Sequence, residues 1–381
     1  MKQIDLNKPN INYIDATKII KSCLKKSWVS TGGDLVDKFE NEICQYTGSK
    51  FAVACNSGTS ALHISLKLCN VKQGDEVIVP TLTFVATINS VIYNSCTPIF
   101  MDSDNYFNID AEKTIKFLKK NTFIKGNFSF NKKTKKRIVA LIVTHVWGNA
   151  ANISALIKEC KERNIKFIED ASESLGTRYK KDKRHTGTLG HAGVLSFNAN
   201  KIITTGSGGM ILLQDKKLYK KAKYLTTQAK DDKVFFIHNE IGYNYRMNNI
   251  SAAIGLSQLK TLKIFLKKKK LVREFYKKMI LKKKNLEISS NPEYSINNNW
   301  MNILRIKKTS KGFKIKKIVN YLISKKILVR PIWKLNHKQK MFKNYEKYKI
   351  YNAQKLCNSS ICIPSSVSLS KKEQLQIIKN L

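Results

Sequence analysis

Residues 51–101 read FAVACNSGTSALHISLKLCNVKQGDEVIVPTLTFVATINSVIYNSCTPIFM, and the punctuation of this stretch decides the fold. Residues 50–55 form a short apolar run of strand character, and 60–68 carry apolar residues three and four apart, as a helix does. The turn pair Gly74-Asp75 introduces a second strand at 76–79, closed by Pro80. A helical stretch at 84–91 then leads to a third strand at 98–101. The rhythm continues with a strongly apolar strand at 137–144, an amphipathic helix at 153–163 and strands at 166–168 and 193–197. Such strand–helix alternation predicts an α/β fold, a mostly parallel sheet flanked by helices.

The pattern changes near residue 250. Long lysine-rich helices at 251–283 and 314–325 flank weaker strands at 300–306 and 327–329. The expected division is a large α/β domain over 1–250 and a smaller C-terminal α+β domain over 251–381, with the first residues packing against the small domain. The polar segment 116–137 reads as a surface loop or an irregular hairpin.

Composition narrows the classes. With 42% hydrophobic and 25% charged residues, the 381-residue chain is not disordered. No apolar run is long enough to span a bilayer, and the first residues lack the apolar core of an export signal, so a cytoplasmic protein without a membrane partner is expected. The eight cysteines form no CxxC pair, and the six histidines do not fall at zinc-ligand spacing beside them; no metal site or disulfide framework is expected. The 70 Lys+Arg against 27 Asp+Glu give a formal charge of +43, which raises nucleic acid as a partner. The basic clusters at 132–137, 267–270 and 282–284 lack interleaved aromatics, and no helix-turn-helix, zinc-finger or RNP pattern accompanies them. No specific nucleic-acid partner is expected.

In open α/β sheets, ligands bind beyond the carboxyl ends of the strands. After the first strand, Asn56-Ser57-Gly58-Thr59-Ser60 opens a helix with one glycine and three hydroxyls, which is an anion site or a plain N-cap. Phe84 follows the second strand, as core or as a stacking platform. Glu169, Asp170 and Glu173 sit where acidic residues face a ligand more readily than a core. Lys201 lies between small polar residues and the glycine-rich turn Gly206–Gly209, away from the surface lysine clusters. A partly desolvated lysine serves as an amine nucleophile or a base. An anion cradle, a flat aromatic, a carboxylate and a lysine together suit pyridoxal 5′-phosphate.

Eight blocks in order carry a resemblance: TGGDLVDKFE, NSGTSAL, GDEVIVPTLTFVAT, IEDASESLG, SFNANKIITTGSGGM, GYNYRMNNISAAIG, RPIWKLNH and CIPSS. They resemble the DegT/DnrJ/EryC1/StrS sugar aminotransferases, fold-type I pyridoxal-phosphate enzymes that act on nucleotide-linked keto-sugars. The resemblance implies that Lys201 holds the cofactor covalently and that Asp170 pairs with its pyridine nitrogen. It implies further that Gly58, Thr59 and Ser196 bind its phosphate, that Phe84 stacks on its ring and that Glu173 lies beside it. Asn244 matches a residue that reaches the neighbouring subunit's cofactor, implying a homodimer with shared sites. Arg246 matches a substrate or inter-subunit contact, and Arg330 and His337 match positions where relatives approach the nucleotide sugar. Ser207 stands where relatives often carry Gly or Glu, which leaves the geometry of that turn open. The implied amino donor is L-glutamate. The blocks look most like enzymes that aminate C4 of UDP-linked 4-keto-6-deoxy-N-acetylhexosamines, with the GDP-perosamine synthases as the alternative.

Overall fold

The computed structural model describes residues 2–232, 234–307 and 315–381. Seven strands form the body of the central sheet and are numbered along the chain: β1 (Phe51–Cys55), β2 (Glu76–Pro80), β3 (Thr97–Met101), β4 (Arg137–Thr144), β5 (Lys166–Asp170), β6 (Ala192–Ser196) and β7 (Gly209–Leu213). Their spatial order is β1-β7-β6-β5-β4-β2-β3. All neighbours are parallel except β7, which runs antiparallel to both β1 and β6. The carboxyl ends of the other six strands therefore meet along one edge.

Burial explains the strand composition. In β4 every residue after Arg137 is buried, because helices cover both faces of a parallel sheet and leave no wet side. The helix Gly58–Lys67 is capped by Ser57, whose hydroxyl accepts from the Ser60 amide at 3.0 Å. Expected and observed elements agree to within about two residues, as helix ends fray and strands taper. Of the helix expected at 314–325, Lys314 lies outside the described residues and Ile315–Ser324 is helical.

Two segments differ from expectation, and a third, 116–137, takes the hairpin of its two expected forms. The strand β7 hides in SGGMILL, where glycines mask a buried apolar run. The polar segment 116–137 is the end of a helix (Ala111–Asn121) and a hairpin, Thr122–Lys125 with Phe128–Asn131, whose second strand pairs with β4. Residues 327–329 form no strand: Ile327 makes a single bridge to Ile4, and its neighbours Arg330–Pro331 pair with Ser360–Ile363 instead.

Beyond residue 280 a second sheet pairs Leu286–Ile288, Asn302–Ile306, Ser360–Ile363 and Arg330–Pro331. The N-terminal segment packs here, with the Ser365 amide donating to the Leu6 carbonyl at 2.7 Å. The helix Asn249–Ile280 begins one residue before the expected boundary. The C-terminal part also returns to the large sheet: Lys347–Tyr348 pairs parallel with β3.

Two contacts position the functional edge. At the start of β7, a Cβ built on Gly209 would lie 2.3 Å from the Ser57 carbonyl oxygen and 2.6 Å from the Gly58 nitrogen. Only a residue without a side chain lets the turn after β1 lie across β7. Asp102, just past β3 and fully buried, accepts from the Lys113 ammonium at 2.6 Å and from the amides of Tyr351, Asn352 and Ala353. It thus anchors the N-terminus of the helix Asn352–Ser359 to the sheet. Burial raises the Asp102 pKa, but Lys113 and the three amides together hold it below the ordinary value. A depressed carboxyl stabilises the fold above the aspartate range and loses that contribution as pH falls below about 3.9. Asp102→Asn should cost about 2–4 kcal/mol near neutral pH, with the deficit shrinking in acid. Denaturant unfolding at pH 7 and pH 3 measures both; equal deficits at the two values contradict the assignment.

Candidate active site

A cavity of about 740 Å³ opens at the carboxyl edge of the sheet. Gly58 and Thr59 from the turn after β1, Phe84 and Thr87 from the segment after β2, and Thr144 and Trp147 from the end of β4 line it. Asp170 and Glu173 follow β5, Ser196 and Lys201 follow β6, and Trp300, Arg330 and Trp333 come from the C-terminal part.

Strand parity sorts the acidic residues. Successive side chains of β5 point to opposite faces. Asp170 faces the cavity, while Glu169 points away to His145 Nε2 at 3.0 Å and to the amides of Gly187, Leu189 and Gly190. Glu169 is thereby spent on holding a loop. The Asp170 carboxylate accepts from Thr87 Oγ1 at 2.7 Å and from the Ser172 amide at 3.2 Å.

Thr87 has one proton and gives it to Asp170, so Thr83, 3.0 Å away, donates to Thr87; Thr144 donates in turn to Thr83 at 3.0 Å.

On the other side, the first-turn amides of the helix Gly58–Lys67 have no acceptor inside the helix. A Cβ at Gly58 would come within 3.0 Å of Ser196 Cβ and 3.5 Å of Ser172 Oγ. Gly58 therefore brings bare backbone N–H groups beside two hydroxyls, a cradle suited to a phosphate. The turn that Ser207 left open is resolved: Gly206 takes the left-handed conformation (φ 81°), and Ser207 Oγ donates to the Asn56 carbonyl at 2.7 Å.

Lys201 reaches the cavity between Glu173 and Trp300. Its Nζ lies 3.5 Å from Glu173 Oε1 and 4.4 Å from the Trp300 ring centroid. Glu173 also accepts from the Trp147 amide at 2.9 Å. Burial, against the pull of Lys201 and this amide, pushes the Glu173 pKa up to about 7.

The remaining candidates divide. Phe84 caps the helix Val85–Tyr93 at the cavity mouth, half-exposed and 6.1 Å from Trp333 between ring centroids. Arg330 lines the mouth and is exposed. His337 does not line the cavity: its Nδ1 bonds Thr81 Oγ1 at 2.6 Å, and burial pushes its pKa down to about 4. It packs beside Phe100, with ring centroids 6.3 Å apart. Asn244 and Arg246 stand outside the single-chain cavity, next to the turn after β1.

Sequence reasoning missed Asn7, Thr87, Ser172 and the tryptophans. Trp147 stacks on Trp333 with centroids 4.0 Å apart, and takes a left-handed backbone (φ 58°) to do so. The scarcity of tryptophan, four in the chain with one in RPIWKLNH, was the available signal.

An amine, a carboxylate and a hydroxyl cradle at the carboxyl edge of a mostly parallel sheet define a fold-type I pyridoxal-phosphate transferase. The donor set fits that cofactor: bare amides for a phosphate, an anchored carboxylate for a pyridinium, and an amine between them. Comparison with known proteins agrees. The chain matches the DegT/DnrJ/EryC1/StrS aminotransferase family over residues 13–381 and belongs to it. It is a pyridoxal-phosphate-dependent sugar aminotransferase. It is 31% identical to the GDP-perosamine synthase of Escherichia coli O157:H7, covering 100% of this chain and 98% of that protein. It is 34% identical to a UDP-4-amino-4,6-dideoxy-N-acetyl-beta-L-altrosamine transaminase of Campylobacter jejuni, over 71% of this chain and 67% of that one. Helicobacter pylori PseC, an aminotransferase involved in pseudoaminic acid biosynthesis, superposes with a TM-score of 0.87 at 25% identity, covering 100% of this chain and 98% of PseC.

The folded chain keeps on Glu173 a proton that the unfolded chain releases near pH 4.3, so its contribution to stability declines as pH rises from about 4.3 to about 7. Cofactor-free Glu173→Gln should therefore gain stability relative to the parent between pH 5 and pH 8. Thermal unfolding at both pH values checks this; a constant difference contradicts it.

Proposed function

We propose that the protein transfers the amino group of L-glutamate to C4 of a 4-keto-6-deoxy hexose linked to a nucleoside diphosphate. The observation that carries this reading is the convergence of Lys201, Asp170 and the Gly58–Ser196 cradle on one cavity. Pyridoxal phosphate, when bound, supplies an electron sink for the pair left by the substrate Cα–H bond.

The chain's own groups do the rest. Lys201 Nζ would hold the cofactor covalently and, as the free amine, would act as the base that takes the proton from the substrate α-carbon and as the acid that delivers it to the cofactor's carbon on the other side of the new C–N bond. Glu173 sits within reach of the resulting ammonium. Asp170, fixed by Thr87, is the partner for a protonated ring nitrogen. Gly58, Thr59 and Ser196 would hold the phosphate and Phe84 would cover the ring, with the Trp147–Trp333 stack forming one apolar wall. Arg330 and Lys334 present cations at the mouth, for the glutamate carboxylate or the sugar-nucleotide diphosphate. One site serves both substrates in turn, so the kinetics are ping-pong.

The sequence blocks favour a UDP-linked N-acetylated sugar on a route to bacillosamine- or legionaminic-type surface glycans. The end-to-end match to GDP-perosamine synthase favours a GDP-linked 4-keto-6-deoxymannose as the second reading. The eight free cysteines suit a reducing compartment, the cytoplasm. Among the described residues no helix is long and apolar enough to cross a membrane.

A homodimer with shared sites completes the proposal. Residues Phe235 and Ile241 are 76% and 81% exposed, in an apolar loop that runs into Asn244. A second copy of the chain would cover that loop and bring Asn244 to the partner's phosphate cradle.

Three experiments test the reading. Lys201→Ala should lower turnover by about 10³-fold or more. The parent should aminate one of the two 4-keto sugar nucleotides with glutamate, read as product mass; no product from either removes the substrate assignment. Mixing Lys201→Ala with Asn244→Ala should restore activity, because one site of each mixed dimer then holds both native residues. Mixtures as inactive as their components contradict shared sites.

A further inference from the structure

The helix Asn249–Ile280 carries a run of four lysines, Lys267 to Lys270, and one of them turns inward. Lys269 is 1% exposed. Among the described residues no carboxylate pairs with it, and burial alone pushes its pKa down to about 7. Burying an unpaired ammonium is costly, and a chain with so many exposed lysines had a cheap alternative at every turn of this helix. The geometry shows what the ammonium does there.

Its three donors go to three separate segments: Asn7 Oδ1 at 2.9 Å, the Trp300 carbonyl at 2.9 Å and the Ser365 carbonyl. The first two then converge again. Asn7, with its oxygen committed to Lys269, turns its amide nitrogen to the Asn200 carbonyl at 2.5 Å. Trp300 donates through Nε1 to the same Asn200 carbonyl at 2.7 Å. Asn200 immediately precedes Lys201, and the Trp300 ring faces Lys201 Nζ at 4.4 Å. One buried ammonium therefore sets both groups that clamp the peptide before Lys201, and the ring beside its amine.

We infer that Lys269 is a positioning residue for Lys201, acting through Asn7 and Trp300 on the Asn200 carbonyl. The inference rests on the reading of Lys201 as the reactive amine. The strand β6 ends at Ser196; beyond it the Phe197 amide still donates to the Gly208 carbonyl and the Lys201 amide to the Asn198 carbonyl, while the Asn200 carbonyl is held by the two arms of the clamp. The clamp also ties the N-terminal segment and the small sheet into the active site, since Asn7 and Trp300 both line the cavity.

The test uses Lys269→Met, which keeps an unbranched side chain one atom shorter and removes the ammonium. In the cofactor-free protein, amide hydrogen exchange of the peptide 196–203 should speed up by about tenfold, while the peptide 139–143 in β4 stays protected. With cofactor, kcat should fall about 10- to 100-fold, with the KM for glutamate within about threefold of the parent. Asn7→Ala and Trp300→Phe each remove one arm of the clamp and should give the same local exchange. In combination with Lys269→Met, each should add less than its separate effect. If Lys269→Met does not fold, the two single-arm variants decide alone. Unchanged exchange at 196–203, or an equal rise at 139–143, overturns the inference. Either result leaves the Lys201 assignment standing, since that falls only if Lys201→Ala retains turnover.

Discussion

The missing side chain at Gly209 is the constraint on which the site depends. The strand β7 runs antiparallel between β1 and β6, and so starts at the very edge where the other strands end. The turn leaving β1 must pass over that start to reach β6. It can do so only because the Ser57 carbonyl and Gly58 nitrogen lie where a Cβ would be. The same crossing presses Gly58 against Ser196, so the cradle follows from a backbone contact and not from any long side chain. Anything that lifts this turn opens the cradle and moves the helix dipole away from its charge.

Around that crossing, the charges fall into two populations. Lysines in excess cover the helix surfaces, where solvent and salt reduce their influence. Inside, a few acidic side chains each have a stated task. Asp102 anchors a helix, Glu169 gathers three amides and a histidine, and Asp170 faces the cavity. The large formal charge thus says little about partners. Composition sets the total, whereas burial decides which charges matter.

Much of this was legible in the sequence. The alternation of apolar runs and helical periods gave β1 to β6, and the polar residues after each strand pointed to the cavity edge. Lys201 stood out because it lay apart from the lysine clusters. What was hidden has physical reasons. In β7 the glycine that makes the crossing possible, with Gly208 just before it, looks like loop. His337 stands in RPIWKLNH, and nothing local shows that its ring packs beside Phe100. Asn7 lies far from the site in sequence and meets it only because the N-terminus docks beside the second sheet. Long-range encounters of that kind have no local signature. Lys269 is indistinguishable in sequence from the three exposed lysines around it.

The tryptophan wall has an optical consequence. Three of the four tryptophans, Trp147, Trp300 and Trp333, line the cavity, and two of them stack face to face. Three quarters of the chain's indoles therefore lie at the cavity, and only Trp28 lies elsewhere. A conjugated ring entering the cavity with an absorption band that overlaps the indole emission would drain that emission by energy transfer. The protein carries its own lamp inside the active site, and its brightness is a direct readout of whether the site is filled.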